Sequence, residues 1–184
     1  MKVSTEQYIN ELAVRVYEQN KRVGWWDNPD RCIFQTLQLV NTEIAEATEG
    51  DRKSLMDDKL PHRVMAEVEI ADTVIRLVDL AGRYKWHYEA AIPASLHLAK
   101  MDNAGARHLV ATITVCDLAK EIILNRDNHC SIAVMYSMAV STLLKIADIE
   151  GYDLTGAIEE KLEFNANRSD HKRSNRAKKN GKAY

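Results

Sequence analysis

Two short stretches combine the residue types and the spacing needed for chemistry: Glu43-Ile-Ala-Glu46 and Glu69-Ile-Ala-Asp72. Each sets two carboxylates three residues apart in helical sequence, so both members of a pair lie on one side of a helix. If the two helices pack side by side, four carboxylates converge in a small volume. Their mutual repulsion then raises their pKa values unless a cation is present. A hard, oxygen-seeking divalent ion meets that need, with Mg²⁺ the usual intracellular choice and Mn²⁺ a substitute. The chain also carries 27 acidic residues in 184. Pairs at this spacing therefore arise on solvated faces as well, and spacing alone does not separate the two readings.

The elements that must position these groups follow from periodicity and caps. Ser4, with Gln7 three residues on, begins a first helix whose apolar stripe runs through Tyr8, Leu12 and Val16 to about Asn20. Gly24-Trp25-Trp26-Asp27-Asn28-Pro29 breaks it. Trp25 and Trp26 suit either the capping of a bundle end or the wall of a pocket for a flat base. Asn28 and Pro29 read as the cap and first residue of a second helix that Gly50 ends. On it Ile33, Leu37, Val40, Ile44 and Ala47 face the core. Glu43 falls at the stripe's edge, and Glu46 lies further round beside Leu39 and Gln35.

A polar loop over residues 51–61 leads to a third helix, about Arg63 to Arg83, with Ile70, Val74, Leu77 and Val78 inward. Glu69, Asp72, Arg76, Asp79 and Arg83 fall on the other side. That mixture of signs fits a salt-bridged solvated face, or equally a site for metal and phosphate. Glu67 falls inside the apolar stripe, which periodicity does not explain. Ala-rich helical sequence interrupted near Pro93 follows, then helices at about Ala106–Leu124 and His129–Glu150. Asp153 caps a last helix through about Asn167, on which Lys161, Asn165 and Arg168 share a face. The predicted architecture is all-α, a bundle of five to seven helices over residues 1–168. Residues 169–184 form a basic, disordered tail.

Composition narrows the chemistry. A net charge of −2 gives no general attraction for nucleic acid or anionic membrane. Three cysteines without metal-type spacing suit a reducing, cytoplasmic setting, and no continuous membrane-spanning run or secretory leader is evident. Cys116 and Cys130, in apolar stretches, read as packing residues. Carboxylate-bridged di-iron bundles need Glu-x-x-His, but Lys59, Tyr84, Ala94, Gly105, Arg126 and Arg168 precede the six histidines by three. A phosphate-binding Gly-rich loop ending in Lys-Ser/Thr and a Gly-x-Ser-x-Gly elbow are both absent. Metal-assisted hydrolysis, a binding role or a purely structural bundle remain.

The two acidic stretches, 22 residues apart and each in an amphipathic helix, resemble the Glu-x-x-Glu and Glu-x-x-Asp signature of the MazG-like all-α nucleoside triphosphate pyrophosphohydrolases. The likeness covers about residues 20 to 85 and resumes at Lys161, Asn165 and Arg168. Residues 88 to about 127 are extra helical material beside the compact members. The resemblance implies Mg²⁺-dependent hydrolysis of a nucleoside triphosphate to the monophosphate and pyrophosphate. It further implies Glu43, Glu46, Glu69 and Asp72 as metal ligands, one of them orienting or deprotonating the water. Lys161 and Arg168 would hold phosphates, and Asn165 phosphate or sugar. Trp25 or Trp26 would stack on the base, with Gln35 reaching it. A homodimer or higher homo-oligomer is implied as well. The alternative is a non-catalytic helical interaction protein.

Overall fold

The structure, a computed structural model, describes residues 3–90 and 97–168. Six α-helices form its frame: α1 (Thr5–Arg22), α2 (Ile33–Lys53), α3 (Met65–Tyr84), α4 (Ala104–Leu124), α5 (His129–Glu150) and α6 (Leu154–Asn167). No strand occurs among the described residues; Met56 and Val64 make one isolated bridge. The architecture is therefore all-α, as expected. The tail over 169–184 lies outside the described residues.

Helix α3 is the axis of the fold. It packs against α1, α2, α5 and α6, while α4 lies on α2 and α5. Along α3 nearly every position is buried, because neighbours cover it on several sides. Close approach is set by glycine at two points. A Cβ at Gly82 would collide with the Ala13 carbonyl oxygen and the Tyr17 Cβ of α1, and one at Gly50 would come within 2.9 Å of the Met65 Cβ.

Gly50 therefore serves contact and does not end α2. The helix runs on to Lys53 and stops at Ser54, which takes the left-handed conformation with φ 52°. The other end of α2 also differs from expectation. Asn28 makes a local turn, its Oδ1 accepting from the Asp30 N–H at 2.9 Å, and α2 starts later, at Ile33, without a side-chain cap. Ser4, Asn103, Asn128 and Asp153 do cap their helices. The Gln7 amide turns to Glu11 and does not reach back to close the capping box.

Between α3 and α4 the described chain holds no α-helix, only a 3₁₀ turn at Leu98–Lys100. Asn10 pins the segment after α3, exchanging hydrogen bonds with both the N–H and the carbonyl of Tyr88 at 2.8 and 3.0 Å. At Tyr88 the Asn10 side chain supplies the pairing that a helix would draw from its own backbone, and residues 91–96 of the Ala-rich stretch lie outside the described residues.

Glu67 has its explanation at the α5–α6 junction. Its Oε1 accepts from the Arg63 guanidinium at 3.0 Å and from the Asp153 N–H at 2.7 Å, and Arg63 also donates to Glu160. The carboxylate points inward because it ties the start of α3 to the start of α6. Helix α5 is long and apolar enough to cross a membrane by length and composition, with mean hydropathy 1.6, yet just over half of that window is buried inside the bundle.

Candidate metal and phosphate site

The side-by-side packing of α2 and α3 brings Glu43, Glu69 and Asp72 together, with one carboxylate oxygen of each within 4.8 Å of the others. Glu43 and Glu69 are buried, and Asp72 is half-buried. At such separations each ionised pair repels by roughly 3 to 4 kcal/mol at an effective dielectric near 20. Crowding and burial therefore oppose ionisation. Burial, then a hydrogen bond to Glu43 and then the charge of Asp72 push Glu69 up to about 9. Burial also raises Asp72, against the pull of Lys161.

Two cations partly neutralise the group. The Arg76 guanidinium holds Glu43 Oε1 at 2.7 Å through Nε and at 2.5 Å through a terminal nitrogen. From α6, the Lys161 ammonium sits 2.7 Å from Asp72 Oδ2 with its side chain only 2% exposed. Glu46, one turn beyond Glu43, is more exposed and its carboxylate lies outside the three-residue cluster. It still feels the cluster: burial first, then the charge of Glu43, raises its pKa. Lys59, in the loop before α3, pairs with Asp58 at 2.9 Å and adds positive charge near both Glu46 and Glu69.

A cavity of about 350 Å³ opens beside the cluster between α1, α2, α3 and α6. Asp72 and Arg76 line it on the cluster side, and Asn165 and Arg168 of α6, with Trp25, line it elsewhere. Two polar atoms on its lining residues, Thr36 Oγ1 and Asn165 Oδ1, are buried without a hydrogen-bond partner among the described residues. Buried polar groups in native folds are almost always paired, so these two atoms stand ready for a ligand or water. Asp79 also lines the cavity; burial raises it to about 6, although Trp26 Nε1 donates to its Oδ1 at 2.9 Å.

The sequence-predicted residues therefore divide. Glu43, Glu69 and Asp72 meet; Asn165 and Arg168 reach the adjoining cavity; Lys161 joins the cluster as the partner of Asp72. The tryptophans separate, Trp25 lining the cavity and Trp26 packing edge-on against Tyr17 at 6.0 Å. Gln35 is exposed and absent from the cavity lining, where its neighbour Thr36 takes the place, because α2 turns its next residue inward. The far side of α3 is not a solvated face: Glu69 and Asp79 are buried, and only Arg83 is exposed. Arg76 and Asp79, placed by periodicity on this face without a role of their own, belong to the site, and Lys59 and Thr36 join it unforeseen. Asp79 is legible as the last of an i, i+4, i+7 series with Asp72 and Arg76, whereas Thr36 and Lys59 carry no signal of their own.

Comparison with family models, curated proteins and solved structures gives no match to this chain.

Proposed function

We propose that this protein is a Mg²⁺-dependent nucleoside triphosphate pyrophosphohydrolase, converting a triphosphate and water to the monophosphate and pyrophosphate. The observation that carries the reading is the convergence of Glu43, Glu69 and Asp72 at the edge of a cavity flanked by Arg76 and Arg168. The donor set is all carboxylate oxygen, which suits Mg²⁺ or Mn²⁺ and not the softer metals. Three carboxylates against the two cations Arg76 and Lys161 leave the cluster with excess negative charge for an ion to balance. The resemblance of the two acidic stretches to the MazG-like enzymes supports the same assignment.

Glu43, Glu69 and Asp72 would hold the ion. Bound there, Mg²⁺ would supply charge neutralisation at the phosphates and a more acidic water. Arg76 and Arg168 grip phosphate oxygens by charge-assisted hydrogen bonds. Trp25 offers a face for the base, and Thr36 and Asn165 offer hydrogen bonds to base or sugar. The water oxygen bonds to the α-phosphorus as the bond from that phosphorus to the α–β bridging oxygen breaks. Pyrophosphate leaves with the electron pair. Glu46, outside the ligand cluster and with a raised pKa, accepts the proton of the attacking water.

One observation favours a second reading. The Glu43–Arg76 and Asp72–Lys161 pairs already satisfy two of the three carboxylates, as an ion network joining α2, α3 and α6 in a non-catalytic bundle would. Incubation with each common ribo- and deoxynucleoside triphosphate, with Mg²⁺ or with chelator, separates the two. Metal-dependent pyrophosphate release from at least one triphosphate supports the enzyme. Release from none, with no effect of Mg²⁺ on thermal stability, leaves the structural network.

A further inference from the structure

Helix α4 turns an unusual face to the outside. Leu109, Ile113, Ile123 and Leu124 are between 49% and 66% exposed. With Asp117 and Lys120 they fall within roughly 120° of the helix circumference, at 100° per residue. Large apolar side chains exposed singly are ordinary, but two apolar patches at either end of one helix face mark a contact surface. Cys116, expected to pack inside, is exposed on this same side.

The order of residues along the stripe identifies what covers it. Two apolar residues, Ile113 and Leu124, flank two charges of opposite sign, Asp117 and Lys120. Neither charge has an ion-pair partner among the described residues. The pattern is palindromic in character. In an antiparallel pair of α4 helices, the register that sets Asp117 opposite Lys120 of the second copy also sets Ile113 opposite its Leu124. A two-fold axis makes both contacts reciprocal, so one face is complementary to itself. A parallel pair in register would instead set like charges against each other. A lipid surface would bury Asp117 and Lys120 unpaired at the centre of the stripe, which is costly.

We propose that the outer face of α4 is the contact surface for a second copy of this chain, the two helices pairing antiparallel about an axis between Leu118 and Ala119. Asp117 and Lys120 fix the register, and Ile113 and Leu124 supply the apolar contact. The surface lies on α4, whereas the acidic cluster is formed by α2 and α3, so the inference does not rest on the hydrolase reading.

Sedimentation velocity on the full chain tests it. Across the micromolar range the mass should move from 20.9 kDa towards twice that value. Asp117→Lys and Lys120→Asp, each alone, should weaken the dimer by at least about tenfold, since each sets like charges face to face twice. The double variant Asp117→Lys/Lys120→Asp should restore it. Both side chains are exposed, and circular dichroism matching the wild type confirms that a monomeric single variant is folded; recovery in the double variant is beyond the reach of a folding defect. A wild type that stays monomeric overturns the proposal. So does a dimer that ignores the single reversals, or one that the double reversal fails to restore. Binding of the monomer to lipid vesicles, with no self-association, would also overturn it.

Discussion

The two halves of this bundle differ in how many ionisable groups they bury and in where they leave apolar side chains. Around α2, α3 and α6, buried positions go to ionisable groups: Glu43, Glu69, Asp79 and Lys161 are all less than a tenth exposed. Around α4 and α5 the buried ionisable groups are fewer, Arg107 paired with Glu150 and the neighbouring His108, while large apolar side chains stand in solvent along α4. Stability alone favours neither arrangement. A carboxylate in the core costs desolvation, and a leucine on the surface forgoes burial. Each half departs from the simplest amphipathic helix at the place where binding is proposed: a cation and an anionic ligand in one half, a second copy of the chain in the other.

The contrast breaks most sharply at Glu69. Glu69→Gln keeps the shape of the carboxyl but removes the charge on which the proposed metal site depends. Turnover should fall by about a hundredfold or more, the scale for losing one group that stabilises developing charge. The thermal midpoint measured in chelator should hold or rise. A variant that retains activity would remove Glu69 from the site.

Lys161→Ala comes next, and its effect is on stability. It strands Asp72 without its partner, and loss of one member of a buried pair costs about 3 kcal/mol or more. Urea denaturation should show that loss, and Lys161→Ala/Asp72→Asn should recover much of it. Arg168→Ala, on the cavity rim, should weaken turnover by about tenfold through KM with the fold unchanged.

Smaller effects carry opposite pH signs in the two halves. Asp79 is raised in the fold to about 6, so it favours folding fully only below its unfolded value, and that contribution is lost as pH rises through 6. Asp79→Asn should therefore stabilise the protein at pH 8 by about 1 to 3 kcal/mol, and hardly at all at pH 4. His108 in α4 is lowered by burial, so its neutral form contributes stability above its ordinary value, lost as pH falls through the folded one. His108→Gln should flatten the acid side of the stability profile. Gln35→Ala, outside the cavity, should change neither activity nor stability.

Much of this was legible in the chain because it is local. The bounds of α5 and α6 follow from Asn128, Gly151 and Asp153, and the acid pairs follow from spacing on adjacent helices. What escaped depends on neighbours distant in sequence. Gly50 looked like a helix end but is a contact with Met65. Glu67 looked misplaced until Asp153 arrived beside it. Gln35 and Thr36 differ by one step of helix rotation, and only the position of α6 decides which of them meets the cavity. Cys116 and Cys130 sit on helices apolar on more than one side, so periodicity could not say which side faces in; both are exposed.

The most direct test of the central claim is pyrophosphate release by the wild-type protein, with each triphosphate in turn, as Mg²⁺ is titrated from chelator upward. No release is expected in chelator, and release should rise and saturate with Mg²⁺ for at least one triphosphate, yielding monophosphate and pyrophosphate in equal amounts. Inorganic phosphate as the product, release that is indifferent to Mg²⁺, or no hydrolysis of any triphosphate would contradict it.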